Sequence, residues 1–557
     1  MSPENIDHAD RRFPFYIPIL VALIAASSVF LATGMLQVTF LSDDTGLVLW
    51  GKHMVENDFW FPFLGGSMDP EKPGPTYYRP LALLSHGIDY AAYGWRPTGH
   101  HVTSLALHAL CCLLVFALTR RALPTHPPMF AFIATALFAL HPIHEGAVWW
   151  IAGRMELVCA LFYLMSTLSF LTYLTSKRIV YLCVATVFGA AAFASKEMAY
   201  SLPFVWLAMA FAWRDQPSLA ARTRAAFIAA SPAIALAAFF LTFRLILFDT
   251  QATTFAVDVD AHHLATTARH TLRNLILPYQ VSFREWASDY TALFALAFVT
   301  IAAIALLQTP RLFSKPVMFG TVWCALTMLP LIRTMSPWTL YLPSVGYCVA
   351  LAWLLYPRRG MSGLAASALL TAIIVSFVVQ LHDRKASWQE ADTVARTILS
   401  DLHEVHTSTP DQQPIILSLP GLIDDTAVFM HYFEERVQFE FDDPGYKPII
   451  LTHLILPPGI DTHGIEVRTL ENQDLELIPA SPQTRFAFPS VAAFNYRFDA
   501  VRPGDVVEMP WGQFELLSPN DAKTITRMRI RLKPGTKKTG TPILVYRDGK
   551  LTIIAPE

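Results

Sequence analysis

The chain has 557 residues, 53% of them hydrophobic, 12% aromatic and only 15% charged, with a formal net charge of -2. Soluble folds carry about 45–50% apolar and about 25% charged residues, so this composition argues against an ordinary soluble protein. The near-zero charge, with no basic run, speaks against nucleic acid as a partner. The apolar excess, which gives a mean hydropathy of +0.38, lies before about residue 381, and the remainder reads like a polar domain.

A membrane-crossing helix needs roughly 20 mostly apolar residues, because every backbone amide in hydrocarbon must find an internal partner. About eleven stretches fit. They are Phe15–Gln37, Val102–Leu118, Met129–Ile143, Leu157–Thr175, Val180–Ala194, Tyr200–Trp213, Ala226–Phe248, Thr291–Leu307, Val317–Leu331, Leu340–Tyr356 and Leu364–Leu381. Several are short and broken by Pro, Gly or charge, as befits helices that line a cavity. Lys and Arg gather in alternate connections: Arg11/Arg12, Arg120/Arg121, Lys177/Arg178, Arg214 with Arg222 and Arg224, Arg311 with Lys315, and Arg358/Arg359. The positive-inside bias then places the N-terminus in the cytoplasm. It turns the 39–99 loop, the 141–155 region, the 249–290 loop and the C-terminal domain outward. A cleaved signal peptide over Leu20–Ala32 is the alternative for the first span, but it would cost the next Arg pair its partner in the count.

All six cysteines lie in apolar segments, so no disulfide framework is expected in the polar part, and buried thiols packing as small apolar groups account for them. After Leu381 comes a helix-like stretch, Ala391–His406. Strand-like runs follow at Pro414–Leu419, Lys447–Leu456, Gly464–Leu470, Ile525–Leu532 and Pro542–Tyr546, the last before an Asp548–Gly549 turn. The expected organisation is a polytopic α-helical membrane domain over 1–384 and a soluble extracytoplasmic α+β or β-rich domain over 385–557. No internal repeat of about 30 to 50 residues is visible.

Charges in or beside spans cost at least about 2.5–3.5 kcal/mol each, which makes them functional candidates. The outward side collects them. Asp43-Asp44 opens the first loop, which runs through Phe59, Trp60, Pro62, Pro73 and Pro75 to Tyr77-Tyr78-Arg79-Pro80. Next come His141-Pro-Ile-His144-Glu145, Trp149-Trp150 and Gly153-Arg154, then Lys196-Glu197, then Arg244. Carboxylates at a membrane surface can take a proton from a hydroxyl, and cations at that depth can hold a lipid phosphate, Arg through a bidentate fork. Each feature has a plainer reading. Asp43-Asp44 can head a helix; Arg154 and Arg244 can snorkel; Trp149 and Trp150 suit an interfacial belt. His141 and His144 with Glu145 are a weak metal set beside two hydrogen-bonded structural histidines, and His101 and His108 suit a bundle interior. Asp424-Asp425 and Asp442-Asp443 read as turn or cap residues.

In order, the motifs resemble the transmembrane, tetratricopeptide-containing O-mannosyltransferases and their bacterial relatives, within the C-type glycosyltransferase superfamily. The pieces are Leu41-Ser-Asp-Asp44, Tyr78-Arg-Pro-Leu81, His101 through His108, Ala139-Leu-His-Pro-Ile-His144, Gly153-Arg154, Ser195-Lys-Glu197, Phe243-Arg244, Asn274 through Pro278, Leu340-Tyr-Leu-Pro-Ser-Val-Gly346 and Trp388. The resemblance implies the C-type fold and inverting transfer of a sugar from a polyprenyl phosphate to a protein or glycan hydroxyl outside the membrane. It implies Asp43 or Asp44 as base, Arg244 and Lys196 beside the leaving phosphate, and Arg154, Glu156, Arg79, Tyr78, His101, His141, His144, Glu145 and Glu197 around the site. Relatives carry Glu two residues after the second His, where this chain has Gly146. They carry Glu-Arg-Tyr where it has Pro337-Trp338-Thr339, and Arg333 is the candidate for the missing cation. The repeats are absent, which tilts the expectation toward a bacterial inner membrane.

A transporter or lipid-carrier flippase is the alternative, and a non-catalytic assembly protein the second. Matching broken helices in two halves would favour transport, and none is visible. No ligand set is strong enough to predict a metal, which leaves a divalent ion open. Donor sugar, carrier lipid and acceptor are not legible.

Overall fold

A computed structural model describes residues 13–64, 78–213, 217–247, 275, 309–331, 336–357, 361–424, 426–456, 464–470, 474–479, 484–487, 506–509, 512–519, 525–533, 541–547 and 549–554. They form two compact units. One comprises Met1–Leu36 with Leu47–Arg384, the other Gln37–Gly46 with Lys385–Glu557.

The first unit is helical. Its helices follow the apolar stretches: Phe13–Ala32, Pro97–Ala122, Pro128–Ala139, Arg154–Ser176, Ile179–Phe193, Leu202–Trp213, Leu219–Leu247, Lys315–Thr327 and Tyr341–Leu354, with Met361–Ser408 running on into the second unit. The expected span Thr291–Leu307 lies outside the described residues. Among those described, four helices are long and apolar enough to cross a membrane, or five if a bent pair counts as one. That pair is Pro128–Ala139 with Pro142–Val148, bent by 51°. The bend falls at His141-Pro142, because a proline lacks the N–H that would continue the helix and disfavours the helical region for the residue before it.

Helix faces explain the burial. On Arg154–Ser176, Leu157, Leu164, Leu171 and Leu174 are at most 2% exposed, while on Leu219–Leu247 Phe227, Ile228, Phe239 and Ile246 are 53–76% exposed. Large apolar side chains facing outward along a whole helix fit a lipid environment, not water. The protein is an integral membrane protein.

Among the described residues, the second unit holds three sheets. Lys550–Ile554, Ile543–Arg547, Ile415–Ile416 and Ile449–Ile450 neighbour one another in that order, the first pair antiparallel and the other two parallel. An antiparallel sheet runs Ile465–Thr469, Leu475–Pro479, Ile525–Leu532, Gly512–Pro519, Val506–Met509. The third orders Thr426–Ala427, Leu419–Ile423, His453–Leu456 and Arg485–Ala487, with its central pair parallel. A parallel pair needs a crossover, and helix Phe433–Glu440 lies in it.

Two elements differ from the sequence reading. The final span and the Ala391–His406 helix are one 48-residue helix, Met361–Ser408, since no proline or glycine after Gly363 interrupts it. Residues Gln37–Gly46, expected with the membrane domain, group with the C-terminal unit; buried Arg436 and half-buried Asp392 bond to their backbone.

Candidate functional site

Three of the sequence motifs converge in the helical unit, with Glu156 beside them. Tyr78-Arg79 leads into helix Pro80–Tyr93, with Pro80 in the first turn, where a missing N–H costs nothing. The N–H of Leu81 donates to the carbonyl of Ala194 at 3.0 Å, which ties this turn to Ser195-Lys196-Glu197. Arg79 then grips Glu197: Nε donates to both carboxylate oxygens at 3.3 and 3.0 Å, and Nη2 to Oε2 at 2.7 Å. Arg244 approaches the same carboxylate through Nη1 at 3.2 Å. Lys196, on extended backbone, sends its side chain elsewhere, and its Nζ meets Glu156 Oε1 at 2.5 Å. Burial alone would raise the Glu197 carboxyl, but Arg79 and then Arg244 hold it down to about 2.

This cluster has three cations and two carboxylates, leaving one positive charge. It is also open, with side-chain exposures of 12% for Arg79, 25% for Glu197 and 27% for Arg244. The residues preceding the two arginines, Tyr78 and Phe243, pack edge to face with centroids 4.9 Å apart. They line an apolar cleft of about 330 Å³ together with Leu81, Ala194, Phe239 and Phe240.

Arg154 is placed differently. Its side chain is fully buried, with Nη1 2.5 Å from Asp89 Oδ2, Nε donating to Ser104 at 3.1 Å and Nη2 to the carbonyl of His100 at 2.6 Å. Thr103 donates to the other oxygen of Asp89 at 2.7 Å. Its guanidinium is occupied inside the protein and does not snorkel. Asp89 was missed by sequence reasoning; the signal was a lone carboxylate in the largely apolar run Pro80–Tyr93.

The histidines form a third group. His108 Nδ1 pairs with the Tyr341 hydroxyl at 2.7 Å and Nε2 with the Ala139 carbonyl at 3.2 Å. His144 Nε2 pairs with Ser344 Oγ at 2.8 Å. His141 Nδ1 accepts the Ile143 N–H at 3.3 Å, so its Nε2–H donates to the Leu275 carbonyl at 3.2 Å. The His-Pro-Ile-His and Leu-Tyr-Leu-Pro-Ser motifs therefore meet, and the rings brace the helix break. Glu145 turns away to Arg384, which donates through Nε to both its oxygens at 2.9 and 2.8 Å. His101 is buried. Among the described residues no group of three His, Cys, Asp or Glu could hold a metal ion.

The two departures from the family pattern also touch. A Cβ at Gly146 would lie 3.1 Å from Trp338 Cβ, and Trp338 packs on Trp150 with centroids 5.2 Å apart. The Trp338 side chain crowds the point where a side chain at 146 would begin, so a larger residue there needs it to give by a few tenths of an ångström. Arg333 lies outside the described residues.

Asp43 and Asp44 belong to the second unit. They form the first turn of helix Asp43–Glu56, where a carboxylate is favoured by the helix dipole. Asp44 is 1% exposed and its Oδ2 accepts the Leu41 N–H at 3.1 Å. Asp43 is half-buried; loss of water raises its carboxyl above the ordinary range, with His431 pulling the other way.

No family model matches the chain. Among curated proteins it is 33% identical over 147 residues to protein O-mannosyl-transferase Tmtc1 of Drosophila melanogaster, covering 26% of this chain and 16% of that protein. It is 32% identical over 147 residues to protein O-mannosyl-transferase TMTC4 of Mus musculus, covering 24% and 20%. The matches thus span a fifth or less of these relatives' length, and they bear out the resemblance drawn from the motifs. Among solved structures, archaeal oligosaccharyltransferase AglB from Archaeoglobus fulgidus, in complex with an inhibitory peptide and a dolichol-phosphate, aligns with a TM-score of 0.40 at 11% identity, over 86% of this chain and 77% of that one. ArnT from Cupriavidus metallidurans bound to undecaprenyl phosphate aligns with a TM-score of 0.42 at 11% identity, over 86% and 99%.

Proposed function

We propose that this protein transfers a sugar from a polyprenyl-phosphate donor to the hydroxyl of an extracytoplasmic protein or glycan, with inversion at the anomeric carbon. The observation that carries the proposal is the open Arg79–Glu197–Arg244 cluster, with its one surplus positive charge, adjoining an apolar cleft. An isoprenoid chain suits the cleft and its phosphate suits the cations. The curated relatives' names make mannose the first sugar to test.

In this reaction the acceptor oxygen attacks the anomeric carbon and gives its proton to Asp43. The bond from that carbon to the phosphate oxygen breaks, and its electron pair leaves with the polyprenyl phosphate. Charge grows on that oxygen in the transition state, where pre-placed cations stabilise it more than in the ground state. Arg244 and Lys196 supply that charge, while Arg79 orients Glu197 and through it Arg244. Asp43 is the better base of the acidic pair: it is half-buried and loss of water raises its carboxyl above the ordinary range, which favours proton acceptance. Asp44 is occupied by the Leu41 amide. Arg154, sealed against Asp89, acts as a brace. Residues 1–36 and 47–384 are assigned to the membrane domain and 37–46 with 385–557 to the extracytoplasmic side, in a bacterial inner membrane.

Mass spectrometry of extracytoplasmic glycoconjugates, with and without the protein, tests this. One acceptor class should lose a hexose when the gene is removed, and Asp43→Asn should reproduce the loss at unchanged protein level. No change in any class would overturn the proposal and return the chain to the transport reading.

A further inference from the structure

The segment before the two carboxylates is held by more than its own helix. Ser42 has φ 48°, a left-handed conformation that is strained for a non-glycine residue and persists only where the surroundings enforce it. Those surroundings come from the C-terminal half of the chain. The Ser42 N–H donates to the Val428 carbonyl at 2.8 Å. Arg436, on helix Phe433–Glu440, donates through Nη2 to Thr39 Oγ1 at 2.8 Å and through Nη1 to the Phe40 carbonyl at 3.3 Å. Asp392 Oδ1 accepts the Thr39 N–H at 2.6 Å, and Arg396 reaches the Gln37 carbonyl at 2.6 Å. On the far side of the carboxylates, a Cβ at Gly46 would come within 2.6 Å of the Tyr432 ring, so the ring lies flush on the start of the helix.

Ordinary core packing would not require a guanidinium here. Arg436 is 4% exposed, and Glu440 one turn on at 2.6 Å balances its charge, but burying a guanidinium stays expensive unless the rest of its fork is satisfied. An apolar side chain would fill the same space, but could not fix the oxygens of residues 39 and 40. The contacts converge on the few residues ahead of Asp43.

We propose that Arg436 is a positioning residue for the base, acting through Thr39 and Phe40 to hold the turn that presents Asp43, so that the C-terminal unit is a working part of the transferase. This rests on the assignment of Asp43 as base. A turn that drifts by about an ångström can cost on the order of 100-fold in rate.

The test uses the full chain with three substitutions, Arg436→Met, Arg436→Lys and Asp43→Asn. Two readouts are compared: glycoconjugate product per folded protein, and amide hydrogen exchange. For Arg436→Met, product should fall about 10- to 100-fold. Exchange should rise about tenfold in peptides covering 37–46, while the strands at 415–416 and 543–547 exchange as in the parent. Arg436→Lys, which keeps a cationic donor, should restore most of both. If Arg436→Met retains full product while Asp43→Asn abolishes it, the positioning role is overturned and the transferase reading stands. Loss of protection across the whole C-terminal unit would also overturn it, by showing a general folding role. If Asp43→Asn retains product, the base assignment itself fails.

Discussion

Two of the ionic clusters in the helical unit are built from the same residue types. Arg154 and Asp89 are sealed at 0% and 3% side-chain exposure, one cation against one carboxylate, with Ser104, Thr103 and the His100 carbonyl completing the set. Arg79, Glu197 and Arg244 stand at 12–27% exposure, with Lys196 and Glu156 beside them, and carry more cation than carboxylate. A closed, balanced cluster can only hold the fold, whereas an open and unbalanced one still attracts an anion. Charge at a membrane depth marks both; stoichiometry and exposure separate them.

Substitutions sharpen the contrast. Arg154→Met leaves Asp89 buried without its partner, which should destabilise the protein by about 3–5 kcal/mol, read as a lower thermal midpoint in detergent. Pairing it with Asp89→Leu should recover most of that loss, because replacing both members of a buried ion pair with apolar groups is often near neutral. Arg244→Ala, in the open cluster, should cost at most about 1 kcal/mol of stability. Its product per folded protein should nevertheless fall by about 10- to 100-fold. Equal stability losses in the two clusters would erase the distinction.

Overpacking probes the departures from the family pattern. Gly146→Glu should destabilise by about 1–3 kcal/mol through its collision with Trp338, and Trp338→Ala should relieve part of it in the double variant. Additive losses would mean the two positions are independent.

Acidification separates a histidine site from a carboxylate site. Burial holds His453 down to about 4 from an ordinary 6.5, so its folded form resists the proton that the unfolded chain accepts. Stability from that site is intact above about pH 6.5 and declines as pH falls toward 4. Glu197 is held down to about 2 against an ordinary 4.5, so its contribution persists to about pH 4.5 and fades only below. Thermal melts should therefore lose stability as pH falls from about 6.5 toward 4, and His453→Leu should remove that site's share of the loss.

Much of the helical unit was legible because lipid imposes a length and an apolar content that a sequence displays directly. Ten of the proposed spans coincide with described helical segments, although the number crossing a membrane is four or five by length and composition. The Arg79, Lys196, Glu197 and Arg244 motifs could be singled out because charge beside apolar runs is conspicuous. The carboxylate shared by Arg79 and Arg244 could not, since 118 and 47 residues separate the partners. Strands such as Leu475–Pro479 and Gly512–Pro519 went unseen because short strands depend on pairing with distant neighbours.

By itself, the chain's order of residues determined a membrane protein with a polar C-terminal part, the family it resembles, and the chemical groups available for transfer. Tertiary structure decided which arginine is sealed and which is open, that Glu145 turns to Arg384 and not to the histidines, and that residues 37–46 fold with sequence more than 340 positions away. Hydropathy and helix length act within a few turns of chain. Ion pairing and backbone anchoring depend on through-space distances that only the folded chain sets.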